Sequence, residues 1–407
     1  MDDSSAQRDP HLWRTVSALG VAQIVSWGSL FYGIAVLGPA MRDALRVSDV
    51  LLFGSFTAGL FVSGLLSPWI GRMIDRRGGT LPLALGSVTA AIACAALASA
   101  QGPATLLAGW LVAGAAMAAV LYDPAFAALH GLAGRDYRSA VTGLTLFGGF
   151  ASTVFWPLSH VLLDRYGWRA TFACFAGFHL LLCFPLHALL VPSYVHPERG
   201  GMAPQPRARS ISVPVDARFW WLALAFSLAA FIASALSAHR IGLLVTQGLS
   251  AGDAVWIGAL IGPMQVVGRI LEFRFGRGLR AVSVGVLAFT LMAAALAVLN
   301  VVNGLRPVAV AYALLYGWSN GVMTIVRGTV PAELFGRRDF GALLGRLAQP
   351  QFILKSFAPL ALTFLFAFDP TKRLALYGLA ACGIVAWIAF RYAVRKRHTR
   401  GHLQGGD

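Results

Sequence analysis

Charge is scarce in this chain. Asp, Glu, Lys and Arg make up 12% of its 407 residues, about half the share of a typical soluble domain. Acidic residues are the scarcer kind, 17 against 33 basic, giving a net charge of +16. Cysteine is nearly missing: Cys94, Cys174, Cys183 and Cys382 each sit inside an apolar stretch. They form no CxxC and no metal-ligand spacing, which excludes a disulfide framework and a zinc site. There is no HExxH, no Gly-x-Ser-x-Gly with partners and no pair of carboxylates at one depth, so the common hydrolytic chemistries lack their residues. No enzyme activity, cofactor or metal is expected.

What is abundant is apolar. Hydrophobic residues make up 57% of the chain and the mean hydropathy is +0.68. A water-soluble protein of this length cannot hide that much apolar surface in one core. The basic residues lie mainly between apolar runs, which is the pattern of cytoplasmic loops in a membrane protein and not of a nucleic-acid surface. Thirty of the 33 basic residues are Arg; beside so much Ala, this reads as the mark of a GC-rich genome.

A bilayer core needs about 20 helical residues to cross it. Twelve runs are long enough: 15–38, 50–70, 80–100, 104–128, 139–163, 169–191, 218–245, 252–273, 279–300, 306–330, 341–367 and 373–392. β-Barrel strands would alternate over about 10 residues, and these runs do not. No cleavable signal peptide is expected, because the first run is long and no small-residue cleavage site follows it. With both termini inside, the inner segments carry 21 Lys and Arg and the outer ones 7. That bias places both termini in the cytoplasm, in the cytoplasmic (inner) membrane of a bacterium.

The longest polar stretch, 192–217, is a linker by its Pro, Gly, Ser and Arg content. The organisation read from this is a cytoplasmic segment 1–14, a six-helix bundle 15–191, the cytoplasmic linker 192–217, a second bundle 218–392 and a basic cytoplasmic tail 393–407. The halves echo each other. Arg135-Asp136-Tyr137 with Gly143 recurs as Arg338-Asp339-Phe340 with Gly345, and Ser63-Gly64 before Gly71-Arg72 recurs loosely as Val267-Gly268 before Gly276-Arg277. Parallel repeats of this kind build many secondary transporters.

The segment Gly71-Arg72-Met73-Ile74-Asp75-Arg76-Arg77-Gly78-Gly79 resembles the loop between helices 2 and 3 of the major facilitator superfamily. Gly167-Trp168-Arg169 and Pro331-Ala332-Glu333-Leu334-Phe335 also look like features of that family. The resemblance covers essentially the whole chain. It implies an all-α membrane fold of 12 transmembrane helices in two pseudo-symmetric six-helix bundles, working as a monomer on a small-molecule substrate. Within the family, Ser26 to Gly33 in the first run, Arg269 in the eighth and Lys355 in the eleventh resemble the monocarboxylate and oxalate:formate branch. There a helix 8 Arg and a helix 11 Lys hold substrate carboxylates.

The loop chemistry has a physical reading of its own. Gly71 permits close backbone approach. Asp75, with Arg76 beside it, sits at a helix end where it can pair across the halves in one conformation and release in the other. The alternative is a plain positive-inside turn.

Ionisable groups inside a span are costly and mark candidate sites. Seven occur: Asp123, Arg240, Arg269, Glu272, Arg327, Arg346 and Lys355. Lys355 lies about 14 residues into its 27-residue run, near mid-depth, where reaching either surface is hard. No acid stands at that depth, so an anionic substrate is the natural partner. Arg269 is a second anchor, since a guanidinium grips a carboxylate bidentately; alternatively it pairs with Glu272, three residues on. Asp123 and Arg327 are 204 residues apart, the repeat offset, and carry opposite charge at similar depth. They either bridge the halves or each reach interface water. Asp123 is also the candidate carrier of a coupling proton.

Gln23, Trp27 and Tyr32 in the first run and Trp318, Ser319 and Asn320 in the tenth are further candidates for substrate contact. Arg240, beside His239 near the outer end of the seventh run, reads as snorkelling. His130, His160, His179 and His187 read as structural. Gly258/Gly262, Gly317/Gly321 and Gly341/Gly345 read as close helix packing. The expected function is secondary transport of a small organic anion, a carboxylate, by alternating access. Efflux of a toxic or drug-like compound is the alternative, with a sensor and a membrane enzyme further behind.

Overall fold

The computed structural model describes residues 10–193, 216–336 and 339–395. Most of the 192–217 linker and of the 393–407 tail therefore lies outside the described residues. Among these the chain is helical throughout and contains no strand.

Ten continuous helical stretches are long and apolar enough to cross a membrane. Two features resolve the longest, Pro103–Leu190 with 88 residues, into three crossings. A short 3-10 turn, Gly134–Asp136, interrupts it, and Gly167 breaks it with φ 78°. Twelve crossings result. They are α1 (10–45), α2 (Asp49–Arg77), α3 (Thr80–Ala98), α4 (103–133), α5 (137–166) and α6 (168–190) in the first half. The second half holds α7 (Ala217–Thr246), α8 (Ala251–Phe275), α9 (Ala281–Leu299), α10 (Arg306–Phe335), α11 (Phe340–Phe368) and α12 (Arg373–Val394).

Helix ends overrun the apolar runs because caps, and not hydropathy, stop them. Ser48 accepts from the Leu51 N–H ahead of α2, Asp216 from Phe219 ahead of α7 and Ser250 from Asp253 ahead of α8, each satisfying one of the N–H groups a helix start leaves free. The outer faces are apolar. Leu181, Leu189 and Phe364 are 78%, 79% and 68% exposed, a surface suited to hydrocarbon and not to water.

Even-numbered crossings place residues 10 and 394 at one end of the bundle, here the terminal face; the opposite end is the distal face. The hydrogen bonds and ion pairs between the halves gather toward the terminal face. Among the described residues, the one reaching furthest toward the distal face runs from Thr57 Oγ1 to the Ser356 carbonyl, 3.4 Å. Antiparallel α2 and α11 form the closest part of this seam. A Cβ on Gly71 would collide with the backbone of Gly341, and one on Gly345 with the Ser67 carbonyl. The sequence reading of Gly341/Gly345 as a packing pair corresponds to this contact, as does Gly317/Gly321 against Ile261 and Gln265 of α8. Gly258/Gly262 does not: Gly258 faces Arg240 of its own half, and nothing lies within 4 Å of a Cβ at Gly262.

Candidate functional site

The site lies in the seam. Inside α1 the helix widens to a π turn over Trp27–Tyr32, a local insertion frequent at functional sites. It brings Trp27 and Phe31 against Lys355 of α11. The Lys355 ammonium sits 3.9 Å from the centroid of the Phe31 ring, 5.3 Å from Trp27 and 5.7 Å from Phe352. Cation–π contacts of this sort are worth about 0.5–2 kcal/mol, rising with desolvation. The side chain is half-buried. No hydrogen bond or ion pair to its ammonium occurs among the described residues. Aromatic faces steady the charge without neutralising it.

Behind this cage is a scaffold. α4 breaks at Leu121, whose backbone turns extended at φ −78°, ψ −164°. Gln23 donates from Nε2 to the Val120 carbonyl beside the break at 2.7 Å. Its Oε1 accepts from Trp27 Nε1 at 3.0 Å. Gln23 is fully buried and both ends of its amide are engaged, so it positions Trp27. Ser29 of the π turn accepts or donates at His179 Nε2, 2.8 Å, while His187 meets Ser87 at 2.7 Å. Tyr122 packs on Trp27 with centroids 5.2 Å apart, and Tyr32 meets Phe31 edge-on at 5.3 Å.

Arg269 does not pair with Glu272. Its Nε donates to the Gly321 carbonyl at 3.3 Å and its Nη1 to the Thr145 carbonyl of the opposite half at 3.1 Å. It fills a notch in α5 where a Cβ on Gly149 would strike Nη1. From there it acts electrostatically on Tyr32 and Tyr122, so Lys355 and Arg269 border one aromatic cluster. Trp318 and Asn320 are half-buried on α10. Trp318 passes close to Gly268, and Ser319 turns away to donate to the Ala288 carbonyl at 2.8 Å.

Four contacts close the seam on the terminal side of this site. Asp123 of α4 and Arg327 of α10 meet at 3.1 Å between Oδ2 and Nη2, and both are largely buried. Lys355 acts electrostatically on both members of that pair. Tyr137 donates to the Gly328 carbonyl at 2.9 Å. His130 stacks on Phe340 with centroids 3.9 Å apart.

The fourth contact is at the helix ends. Asp75 accepts from the Gly341 and Ala342 N–H groups at 2.8 and 2.7 Å, capping α11 across the halves, where a carboxylate complements the helix dipole. Arg76 is exposed. On the pseudo-symmetric side Glu272 of α8 accepts from Arg138 Nε at 2.7 Å and from Thr142 Oγ1 at 2.8 Å, both in the first turns of α5. Gly268-Arg269-Ile270-Leu271-Glu272 is thus the structural counterpart of Gly71-Arg72-Met73-Ile74-Asp75. The sequence comparison had set the second copy at Gly276-Arg277. The shared pattern, Gly-Arg, two apolar residues and an acid, was the missed signal. Also missed were Phe31, Phe352, Tyr122 and Arg138, since aromatics are plentiful in every span and Arg138 read as a loop cation.

The sequence matches the Major Facilitator Superfamily over residues 19–345. The chain belongs to this family. Its members are transporters and not enzymes, and the fold and the apolar helices make this chain a multi-pass secondary transporter. Solved structures agree on the fold. The human organic anion transporter MFSD10 (TETRAN) is 16% identical with a TM-score of 0.73, over 94% of this chain and all of its own. FucP, a Major Facilitator Superfamily transporter captured in the outward conformation, is 12% identical with a TM-score of 0.69, over 93% of this chain and 98% of its own. Among curated proteins the comparison gives no match.

Proposed function

We propose that this transporter moves a small organic anion, a carboxylate, by alternating access. One observation carries the reading: an ammonium at mid-depth, Lys355, held by three aromatic rings and making no hydrogen bond or ion pair among the described residues, while the nearby Asp123 is engaged by Arg327. A carboxylate supplies that charge, and Arg269 offers a second cation beside the same aromatic cluster. The seam closed at its terminal face is one end state of the cycle. The human protein of the same fold is named an organic anion transporter; at this identity the likeness is one of fold, and the anion reading stands on Lys355. Asp123 is the acid placed to carry a coupling proton. Efflux of a drug-like compound remains the second reading, favoured by the aromatic lining of Trp27, Phe31, Tyr32 and Tyr122.

A thermal-shift panel separates the two. A ligand that binds only the folded protein at 100 times its Kd adds about 2.7 kcal/mol. Formate, oxalate, lactate or benzoate should raise the Tm of the purified protein, and cationic dyes should not. A shift with cationic dyes alone would reverse the order of the readings.

The loop charges orient the protein with its terminal face in the bacterial cytoplasm. A reporter fused after Asp407 should be active only as a cytoplasmic fusion; periplasmic activity would invert the topology.

A further inference from the structure

Arg240 of α7 is a second intramembrane cation that the proposed function does not use. It lies six residues from the distal end of α7, and Tyr312 lies six from the distal start of α10, so both are about 9 Å inside the distal face at 1.5 Å per residue. Lys355 is 13 residues from the distal end of α11, about 20 Å inside. Arg240 is half-buried and its Nε is fully buried. Its guanidinium crosses to α8, where a Cβ on Gly258 would stand 3.4 Å from Nε and 3.9 Å from Nη2. It also acts electrostatically on Tyr312 and Tyr316 of α10. Those two rings are stacked with centroids 5.8 Å apart.

Two polar atoms here are buried without a hydrogen-bond partner among the described residues: Arg240 Nε and the Tyr312 hydroxyl. Tyr312 is fully buried. No ion pair or hydrogen bond to Arg240 occurs among the described residues. A buried donor left unmade costs about 1–3 kcal/mol, more when it is charged. Such groups are rare in native folds, and an unsatisfied cluster asks for an ion or a solvent partner. A guanidinium, which only donates, and a phenol hydroxyl, which can donate, together suit a small oxyanion, held bidentately by the Arg and capped by the Tyr.

We propose that Arg240, Tyr312 and Tyr316, over the notch at Gly258, form an outer anion-binding site that takes a carboxylate before it reaches Lys355. The inference rests on the anion reading of the central site. It assigns the transporter two cationic stations at different depths on the distal side of the closed terminal gate, so that the anion is captured by charge and passed inward. Charge-steered capture raises association rates tenfold or more and weakens with salt.

The test is equilibrium dialysis of [14C]oxalate and [14C]benzoate with the full-length protein in phosphatidylcholine nanodiscs, which carry no anionic lipid. The deciding protein is Lys355→Gln, in which the central station is lost. It should keep one weaker site, and adding Arg240→Gln should remove that site. Adding Tyr312→Phe instead, which keeps the ring and the packing, should weaken it about tenfold, the loss of one hydrogen bond to a charge. Arg240→Lys should retain part of the binding. In transport, Arg240→Gln alone should lower kcat/KM about tenfold and flatten its salt dependence while sparing kcat.

If Lys355→Gln binds no anion although the wild type does, there is no outer site and the central reading stands. Residual binding untouched by both Arg240→Gln and Tyr312→Phe would place that site elsewhere and overturn the proposal. No binding of either anion to the wild type would overturn the anion reading beneath it. Residual binding seen only when phosphatidylglycerol replaces phosphatidylcholine would assign Arg240 to lipid phosphate and overturn the carboxylate station.

Discussion

Lys355→Met is expected to lower carboxylate transport and tight carboxylate binding by about 100-fold or more, the consequence of removing the charged partner of a desolvated anion. The chain should still fold and insert, because Met preserves the length of the side chain and stacks on aromatic rings. The fold loses only the cation–π contacts of the ammonium, since no protein carboxylate or carbonyl among the described residues takes a hydrogen bond from it. Lys355→Arg should keep a fraction of the activity, since the charge survives but a guanidinium does not match the point-charge geometry between Phe31 and Trp27. Reconstituted vesicles with labelled oxalate and benzoate give the measurement. Lys355→Met vesicles that carry either anion at the wild-type rate would sink the anion reading and move efflux to first place.

Single neutralisation of Asp123 or Arg327 is expected to impair transport at least tenfold, and exchanging the two charges to restore part of it. Breaking a buried pair from one side leaves an uncompensated charge, at a cost of about 3–5 kcal/mol. That cost falls on the state closed at its terminal face, because there the two side chains meet at 3.1 Å. The conformational equilibrium should therefore tip toward the opposite state. In the exchanged protein, Asp123→Arg with Arg327→Asp, the same bridge forms with reversed polarity and the closed state recovers. Lys355, which acts on both members, then faces the carboxylate and guanidinium in swapped places, so recovery is partial. The measurement is a double-mutant cycle on transport rate and on labelling of a single cysteine at the terminal seam. Independent, additive losses would show that the pair is not a gate. Asp123→Asn should in addition abolish substrate-driven proton movement if Asp123 carries the coupling proton; undiminished proton movement in that variant would remove Asp123 from coupling.

Most of the architecture was legible because hydrocarbon is an unforgiving solvent. Every span must be a helix of about 20 apolar residues, so runs, breaks and loop cations can be counted directly. The 204-residue spacing of Asp123 and Arg327 was readable for a related reason, since an internal repeat places equal offsets at equal depth. The Gly71 to Asp75 motif carried its own chemistry, a close-approach glycine one turn before an acid. The sequence could also single out Lys355, because a charge at mid-depth is too costly to be accidental.

Which side chains meet was decided by tertiary structure alone. Glu272 is three residues from Arg269, and helix spacing allowed the two to pair, yet Arg138 and Thr142 of the opposite half take Glu272 while backbone carbonyls take Arg269. Gln23 has the polarity of a substrate contact, but the break at Leu121 puts the Val120 carbonyl within its reach and engages it. The π turn at Trp27–Tyr32 leaves no mark in composition, although it sets which aromatic rings face Lys355. Arg240 read as a residue on its way to the surface, yet it is half-buried with its Nε beside Gly258 of α8. Sequence fixes depth and helical face in a membrane. The partner on that face comes from the helices packed against it, and no local pattern encodes which helices those are.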